Sequence, residues 1–260
     1  MSGVQQVVFQ NQRSFGPPPG QDQYTSAGSY SWVCPTSPEQ TSVSVVCVGS
    51  AWYGPPYNPD STSAGALSYK NDITVIPGNS YTVVVSPVFS ITPRSSFNGD
   101  SEVSAGTGTQ RTGDGGGNGG GAGYHMGGAG GYSGNGGYGL GTAGGTAGAG
   151  GAAGGGGFGY APAPEQYGYS AGGGVGLLGE GANGAGGTGT TSQNGAIAGG
   201  GGGSGGTSGA SGSMSGYITK LNAGYYGGQG YDSATTPGGA VRIIYPGDTR
   251  QFPTTDTGDL

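Results

Sequence analysis

From Gly115 to Gly157 the chain reads "GGGNGGGAGYHMGGAGGYSGNGGYGLGTAGGTAGAGGAAGGGG", without one Asp, Glu, Lys or Arg. The wider region 106–216 is about half glycine. Glycine has the most backbone freedom to lose, so it is the residue most costly to order. Such a tract is either never ordered, or its ordering has a reward that only a chain without Cβ atoms can collect.

Several architectures compete for this region. A collagen helix needs glycine at every third position and abundant proline. Here Gly-Gly pairs break the triplet, and proline is confined to Pro162 and Pro164 within 106–216. Calcium-binding β-rolls need an aspartate in each glycine nonapeptide, and no aspartate lies between Asp114 and Asp232. A disordered linker is the compositional default. The remaining option is a bundle of polyglycine II helices, with three residues per turn and no internal hydrogen bonds. Their amides are free to pair with neighbouring helices if no Cβ holds the chains apart. Fixing a residue costs about 1–2 kcal/mol of backbone entropy, against roughly 0.5–1.5 kcal/mol for a net hydrogen bond. Such a bundle therefore needs anchored ends and apolar lids. Tyr124, Tyr132, Tyr138, Leu140, Phe158, Tyr160, Tyr167, Tyr169, Leu177, Leu178 and Tyr217 are the lid candidates. They sit among turn signals at Asn118, Asn135, Pro162, Asn183 and Asn194, which predicts short helices that reverse there and show aromatic rings on the connecting loops.

The flanks read differently. Alternating runs rich in β-branched and aromatic residues mark strands. "SYSWVC" puts Tyr30, Trp32 and Cys34 on one face, and "SVSVVCV" does the same for Val43, Val45 and Cys47, with Ser44 opposite. "ITVIPGNSYTVVV" reads as two strands around Pro77-Gly78, a type II turn pair, with Tyr81, Val83 and Val85 sharing a face. Near the other end, "AVRIIY" alternates Val241, Ile243 and Tyr245 with Arg242 and Ile244. One strand cannot bury itself, so it is expected to return to the first sheet and contribute Val241 and Ile243 to a core with Val43, Val45, Tyr81 and Val83. The predicted fold is mainly β: a small antiparallel β-sandwich with an inserted polyglycine II bundle, closed by its last strand. The boundaries drawn are an arm at 1–23, the sandwich at 24–105, the glycine insertion at 106–216, a return segment at 217–247 and a tail at 248–260.

Composition excludes several functions. The net charge is −6, and the seven lysines and arginines are scattered, whereas nucleic-acid surfaces need clustered cations. No apolar run approaches the roughly 20 residues that span a bilayer, so no membrane insertion is expected. "MSGVQQVVFQNQ" lacks the basic start and apolar core of a signal peptide, so synthesis in a cytoplasm is expected. The sole histidine, His125, has Asp114 as its nearest acidic residue in sequence, and reads as a loop residue rather than a catalytic or zinc-binding one. Gly-x-Gly-x-x-Gly matches recur by chance, with no following Lys-Ser or Lys-Thr. Cys34 and Cys47 could bridge neighbouring strands, but two buried thiols suit a chain without a signal peptide better. The expectation is therefore no catalytic residue, no metal and no cofactor.

"AGSYSWVCPTSPEQTSVSVVCVG", "ALSYKNDITVIPGNSYTVVV" and "GGAVRIIYPGDTRQFPTT" together resemble the glycine-rich virion structural proteins of tailed phages, of the type found in cyanobacterial myophages. The resemblance covers most of residues 24–255. It implies a β-domain whose last strand closes after a glycine-rich insertion. The family usually has glycines after the "VCVG" strand, whereas this chain has "SAWYGPPYNPDST". That loop makes Trp52, Tyr53 and Tyr57 candidate contacts, beside Tyr124, Tyr132, Tyr138, Phe158, Tyr160, Tyr167 and Tyr169. A looser analogy is the adhesin that caps T-even tail fibres. The function expected is that of a fibre, baseplate or capsid-surface subunit, made in the host cytoplasm and resident in the virion. Its partners would be other copies, other virion proteins and a host surface. The arm and the tail, poor at core building, would reach neighbours in the assembly. The competing classes are a subunit of an extracellular fibre or cell envelope, and an ice- or surface-binding protein. The irregular spacing of Thr142, Thr146, Thr188, Thr190, Thr191 and Thr207 speaks against ice binding.

Overall fold

The computed structural model describes residues 19–52, 63–121, 126–139, 145–153, 155, 158–161, 166–169, 171–188, 201–202, 206, 208, 223–229 and 236–254. Within these, the chain is mainly β and is organised around two antiparallel five-stranded sheets. The first contains β1 (Gly20–Tyr24), β3 (Ser42–Val48), β4 (Leu67–Thr74), β9 (Gly115–Gly117) and β12 (Ala240–Tyr245), in the order β1-β12-β3-β4-β9. The second contains β2 (Gly28–Val33), β5 (Ser80–Val85), β6 (Ser95–Phe97), β7 (Val103–Ala105) and β8 (Arg111–Thr112), in chain order. A separate ribbon pairs β10 (Phe158–Ala161) with β11 (Gln166–Tyr169).

The last strand returns as expected. β12 lies between β1 and β3, with Val241 opposite Cys47 and Ile243 opposite Val45. The space between the sheets is filled by Trp32, Cys34, Val43, Val45, Cys47, Val83, Val85, Phe97, Val103, Val241 and Ile243, with Tyr81 and Tyr245 packed against them. Pro77-Gly78 makes the expected turn: Asn79 N–H donates to Ile76 O at 3.0 Å and Gly78 takes φ +79°. It does not join a hairpin, because β4 and β5 belong to different sheets. It is the corner where the chain crosses the sandwich. Both cysteines are buried free thiols, and burial pushes the Cys47 thiol far above its ordinary value, with Asp100 adding to the effect.

A second core is the main departure from a plain sandwich. Every residue of β3 is buried. Val43, Val45 and Cys47 face the sandwich interior, while Val46 and Val48 join Leu67, Ala129, Tyr132, Ala153, Val175, Leu177, Ala240, Ile244 and Phe252 on the outer face of the first sheet. The glycine-rich region thus covers the sheet from which it springs. Arg242 is wholly buried in this layer, with its guanidinium donating to Leu177 O at 2.9 Å and to Gln21 Oε1.

Strand pairing also runs past the boundaries read from the sequence. Residues 20–24 are an edge strand rather than part of an arm, and β8 and β9 carry the sheets to Gly117. Gly115 and Gly116 fit beside β4 because they lack side chains. A Cβ on Gly115 would lie 2.3 Å from the Tyr69 hydroxyl, and one on Gly116 only 2.1 Å from Leu67 O. Residues 248–254 are likewise part of the fold. Arg250 and Phe252 are buried, and Asn71 clamps Phe252 by bonds to its N–H and its carbonyl at 2.9 and 2.7 Å. Asn71 is free to do this because β4 bulges, setting Asn71 and Asp72 against Ser44 alone, with Asp72 at φ 49°. Residues 1–18 and 255–260 lie outside the described residues.

Candidate functional site

Away from the second core, the described residues of the glycine-rich region meet their neighbours through backbone, and successive residues turn to different ones. Along 128–130, Gly128 N–H donates to Gly137 O, Ala129 N–H to Gly173 O and Gly130 N–H to Gly65 O, at 2.9, 3.1 and 2.9 Å. The carbonyls of the same stretch accept from Gly120 at Gly128, from Ala153 at Ala129 and from Gln229 at Gly127. The next stretch repeats the pattern: Gly136 donates to Asn118 O, Gly137 to Ala153 O and Tyr138 to Thr146 Oγ1. A β-strand, with its period of two, sends its bonds to two neighbours in one plane. Here they radiate in more directions than a sheet allows.

Close approach makes this possible. A Cβ built on Gly127 would lie 1.8 Å from Gly120 O, one on Gly136 1.9 Å from Gly128 O, and one on Gly137 2.1 Å from Thr146 O. Gly172 and Gly202 are boxed in the same way, by Gly127 O at 1.9 Å and by the Ala152 carbonyl at 2.3 Å. In each case the obstacle is backbone, which cannot swing aside. Alanine enters where a methyl has somewhere to go: Ala129 and Ala153 point into the second core.

The candidate contact residues separate into distinct groups. Tyr138 is 45 % exposed, beside the Gly139–Gly145 bridge. Trp52 is half-buried, and its backbone pairs with Ser63 through bonds of 2.7 and 3.0 Å that close the base of the loop between them. Tyr53 and Tyr57 in that loop, Tyr124, and His125 lie outside the described residues. Phe158 stands opposite Tyr169, and Tyr160 opposite Tyr167, in the β10–β11 ribbon. The "PAPEQ" signal, expected to mark a reversal between glycine helices, is flanked by two antiparallel β-strands.

Tyr132 corrects the expectation of a surface ring. It is 1 % exposed, stacked on Phe252 at 5.7 Å and tilted against Tyr69 at 6.2 Å. Its hydroxyl donates to Gly176 O at 3.0 Å and accepts from Gly179 N–H at 3.2 Å. Burial pushes this hydroxyl far above the ordinary tyrosine range. Tyr132→Phe should leave both backbone groups short of a partner, which costs about 2 kcal/mol. A chemical denaturation midpoint that falls without a change in slope would show it, and an unchanged midpoint would remove Tyr132 from the stabilising core.

Exposed apolar side chains that the sequence reading passed over are Val33, Ile76, Ile91 and Tyr225, between 40 % and 60 % exposed. The "YY" pair at 225–226 was the visible signal for the last of these. Two ion pairs lie in the sandwich: Lys70 Nζ meets Glu102 Oε1 at 2.7 Å and Arg94 Nε meets Asp100 Oδ2 at 4.0 Å. The hydrogen bond to Glu102 raises the Lys70 pKa. Among the described residues no group of His, Cys, Asp and Glu is placed to hold a metal ion, and no helix is long and apolar enough to cross a membrane. No protein family, curated protein or solved structure matches this chain.

Proposed function

We propose that this chain is a structural subunit of a tailed-phage virion (a fibre, baseplate or capsid-surface protein) that assembles with copies of itself and acts through surfaces rather than catalysis. Its glycine-rich region is a bundle of polyglycine II helices laid over the first sheet. The observation that carries the bundle is the fan of bonds from Gly128, Ala129 and Gly130 to three separate stretches. A helix with three residues per turn points successive amides about 120° apart, and so reaches neighbours on all sides. A scaffold of this kind is built from backbone, spends few side chains on itself, and leaves rings such as Tyr138 for a partner. The sequence places further rings between Trp52 and Ser63 and along β10 and β11. These rings are assigned to contacts with a virion protein or the host surface. The sequence resemblance supplies the virion setting.

The purified chain should run as a multiple of 24.9 kDa in sedimentation. Antibody raised against it should label tailed particles purified from the lysate in which it is made. Labelling of cell envelopes or extracellular fibres, with none on particles, would shift the assignment to the fibre or envelope class.

A further inference from the structure

We infer that the open edge of β2 is the acceptor for the N-terminal arm of a neighbouring copy, which adds residues Val4–Gln10 to the second sheet as an extra strand. This rests on the self-assembling subunit proposed above and names its contact. β2 is the terminal strand of its sheet, paired along its length with β5 from Gly28↔Val85 to Val33↔Ser80. Cys34 N–H donates to Asn79 O, towards β5. Alternation then turns the N–H groups of Trp32 and Tyr30 inward and those of Ser29, Ser31 and Val33 outward. Exposed edges are normally guarded by charge, proline, a bulge or a covering segment. "GSYSWV" has no charge and no proline, and its register is unbroken.

The other three edges of the two five-stranded sheets are guarded. β1 carries Asp22 and follows Pro19, β8 is a two-residue strand with Arg111, and β9 lies against Gly134, whose carbonyl would be 1.8 Å from a Cβ on Gly117. At the open end of β2, Val33 is 56 % and Ile76 58 % exposed. The bond from Gly78 N–H to Cys34 O holds the turn that carries Ile76 at the end of β2.

The chain that precedes Pro19 suits this edge. "VQQVVFQNQ" is uncharged, like β2, and strand-like, with Val7 and Phe9 on one alternate set. In the added strand those two side chains would give Val33, exposed on β2, apolar neighbours. Gly16, Pro17 and Pro18 each precede a proline, which keeps them out of the helical region. Such a spacer advances about 3.1 Å per residue, roughly 12 Å over Gly16–Pro19. Gly20 is already fixed opposite Tyr245. A stiff spacer of that length gives the arm the reach to a neighbouring copy.

Sedimentation of the full chain, of a chain lacking residues 2–15, and of Ser31→Pro and Val33→Lys tests the pairing. Proline at 31 removes only an outward N–H and is tolerated on an edge strand. All three variants should self-associate at least tenfold more weakly. A synthetic peptide of residues 3–12 should bind the arm-deleted chain and lose at least tenfold in affinity when Ser31→Pro is added. Should Ser31→Pro fail to fold by circular dichroism, Val33→Lys decides in its place. An oligomer weakened by arm deletion but untouched by the β2 variants puts the arm elsewhere and overturns the inference, as does one untouched by all three. A monomeric full chain overturns both this contact and the self-assembling subunit. A monomer whose arm-deleted form still binds the peptide points to an arm seated on its own β2.

Discussion

A chain ending at Pro237 is expected to lose the cooperative unfolding of the whole β-sandwich. β12 is an inner strand, and without it β1 has no partner and β3 loses one of its two. The loss reaches both cores at once, since Val241 and Ile243 leave the sandwich interior while Ala240 and Ile244 leave the layer beneath the glycine-rich region. Burying one Val or Ile side chain contributes about 1.5–3 kcal/mol. Removing Val241, Ile243 and Ile244 together is therefore comparable to the roughly 5–15 kcal/mol that holds a whole domain folded. Arg242 also takes with it the bond to Leu177 O that ties the glycine-rich layer down. Thermal melting followed by far-ultraviolet circular dichroism should show no sigmoidal transition. A soluble fragment with the full-length midpoint would mean that the sandwich closes without its last strand.

What the sequence made legible follows the physics of burial. β3, β5 and β12 announce themselves because β-branched residues at period two have no cheaper explanation than a half-buried strand. In β3 the run "VVCV" already carried a second message, since consecutive apolar residues mark a strand buried on both faces, as Val46 and Val48 are. β1, β8 and β9 stayed hidden because their residues are polar or glycine. "GQDQY" and "GGG" form strands only through the backbone partners that β12 and β4 offer. Tyr132 and Tyr138 look alike in sequence, as single rings among glycines. No periodicity in such a tract tells the side that meets a sheet from the side that meets water. The fold decides it: Tyr132 closes on Phe252, and Tyr138 stays outside. The inward place of Phe252 was equally unreadable, because it depends on the bulge that frees Asn71, on a strand far away in sequence.

Substitutions that do no more than add carbon to the glycine-rich region should be as damaging as mutations in an ordinary core. A Cβ on Gly136 would lie 1.9 Å from Gly128 O and 2.8 Å from both Ala129 O and Gly120 N. At Gly155 it would meet the Tyr138 carbonyl at 2.4 Å. Relief requires the stretches to separate, and separation breaks bonds such as Gly136 to Asn118 and Gly155 to Thr146. Overpacking typically costs about 1–3 kcal/mol. Since 1 kcal/mol moves Tm by roughly 2–4 °C in a domain of this size, Gly136→Ala and Gly155→Val should each lower Tm by about 2–12 °C in calorimetry. Ala147→Val adds carbon in the same region at an exposed position and should leave Tm unchanged. A flexible linker would tolerate all three alike, because nothing stands within reach of the added atoms. Three wild-type melting curves would therefore reject the packed region. A drop confined to Gly136 and Gly155 would mean that glycine is required there by the distance between backbones, with chain freedom as its cost.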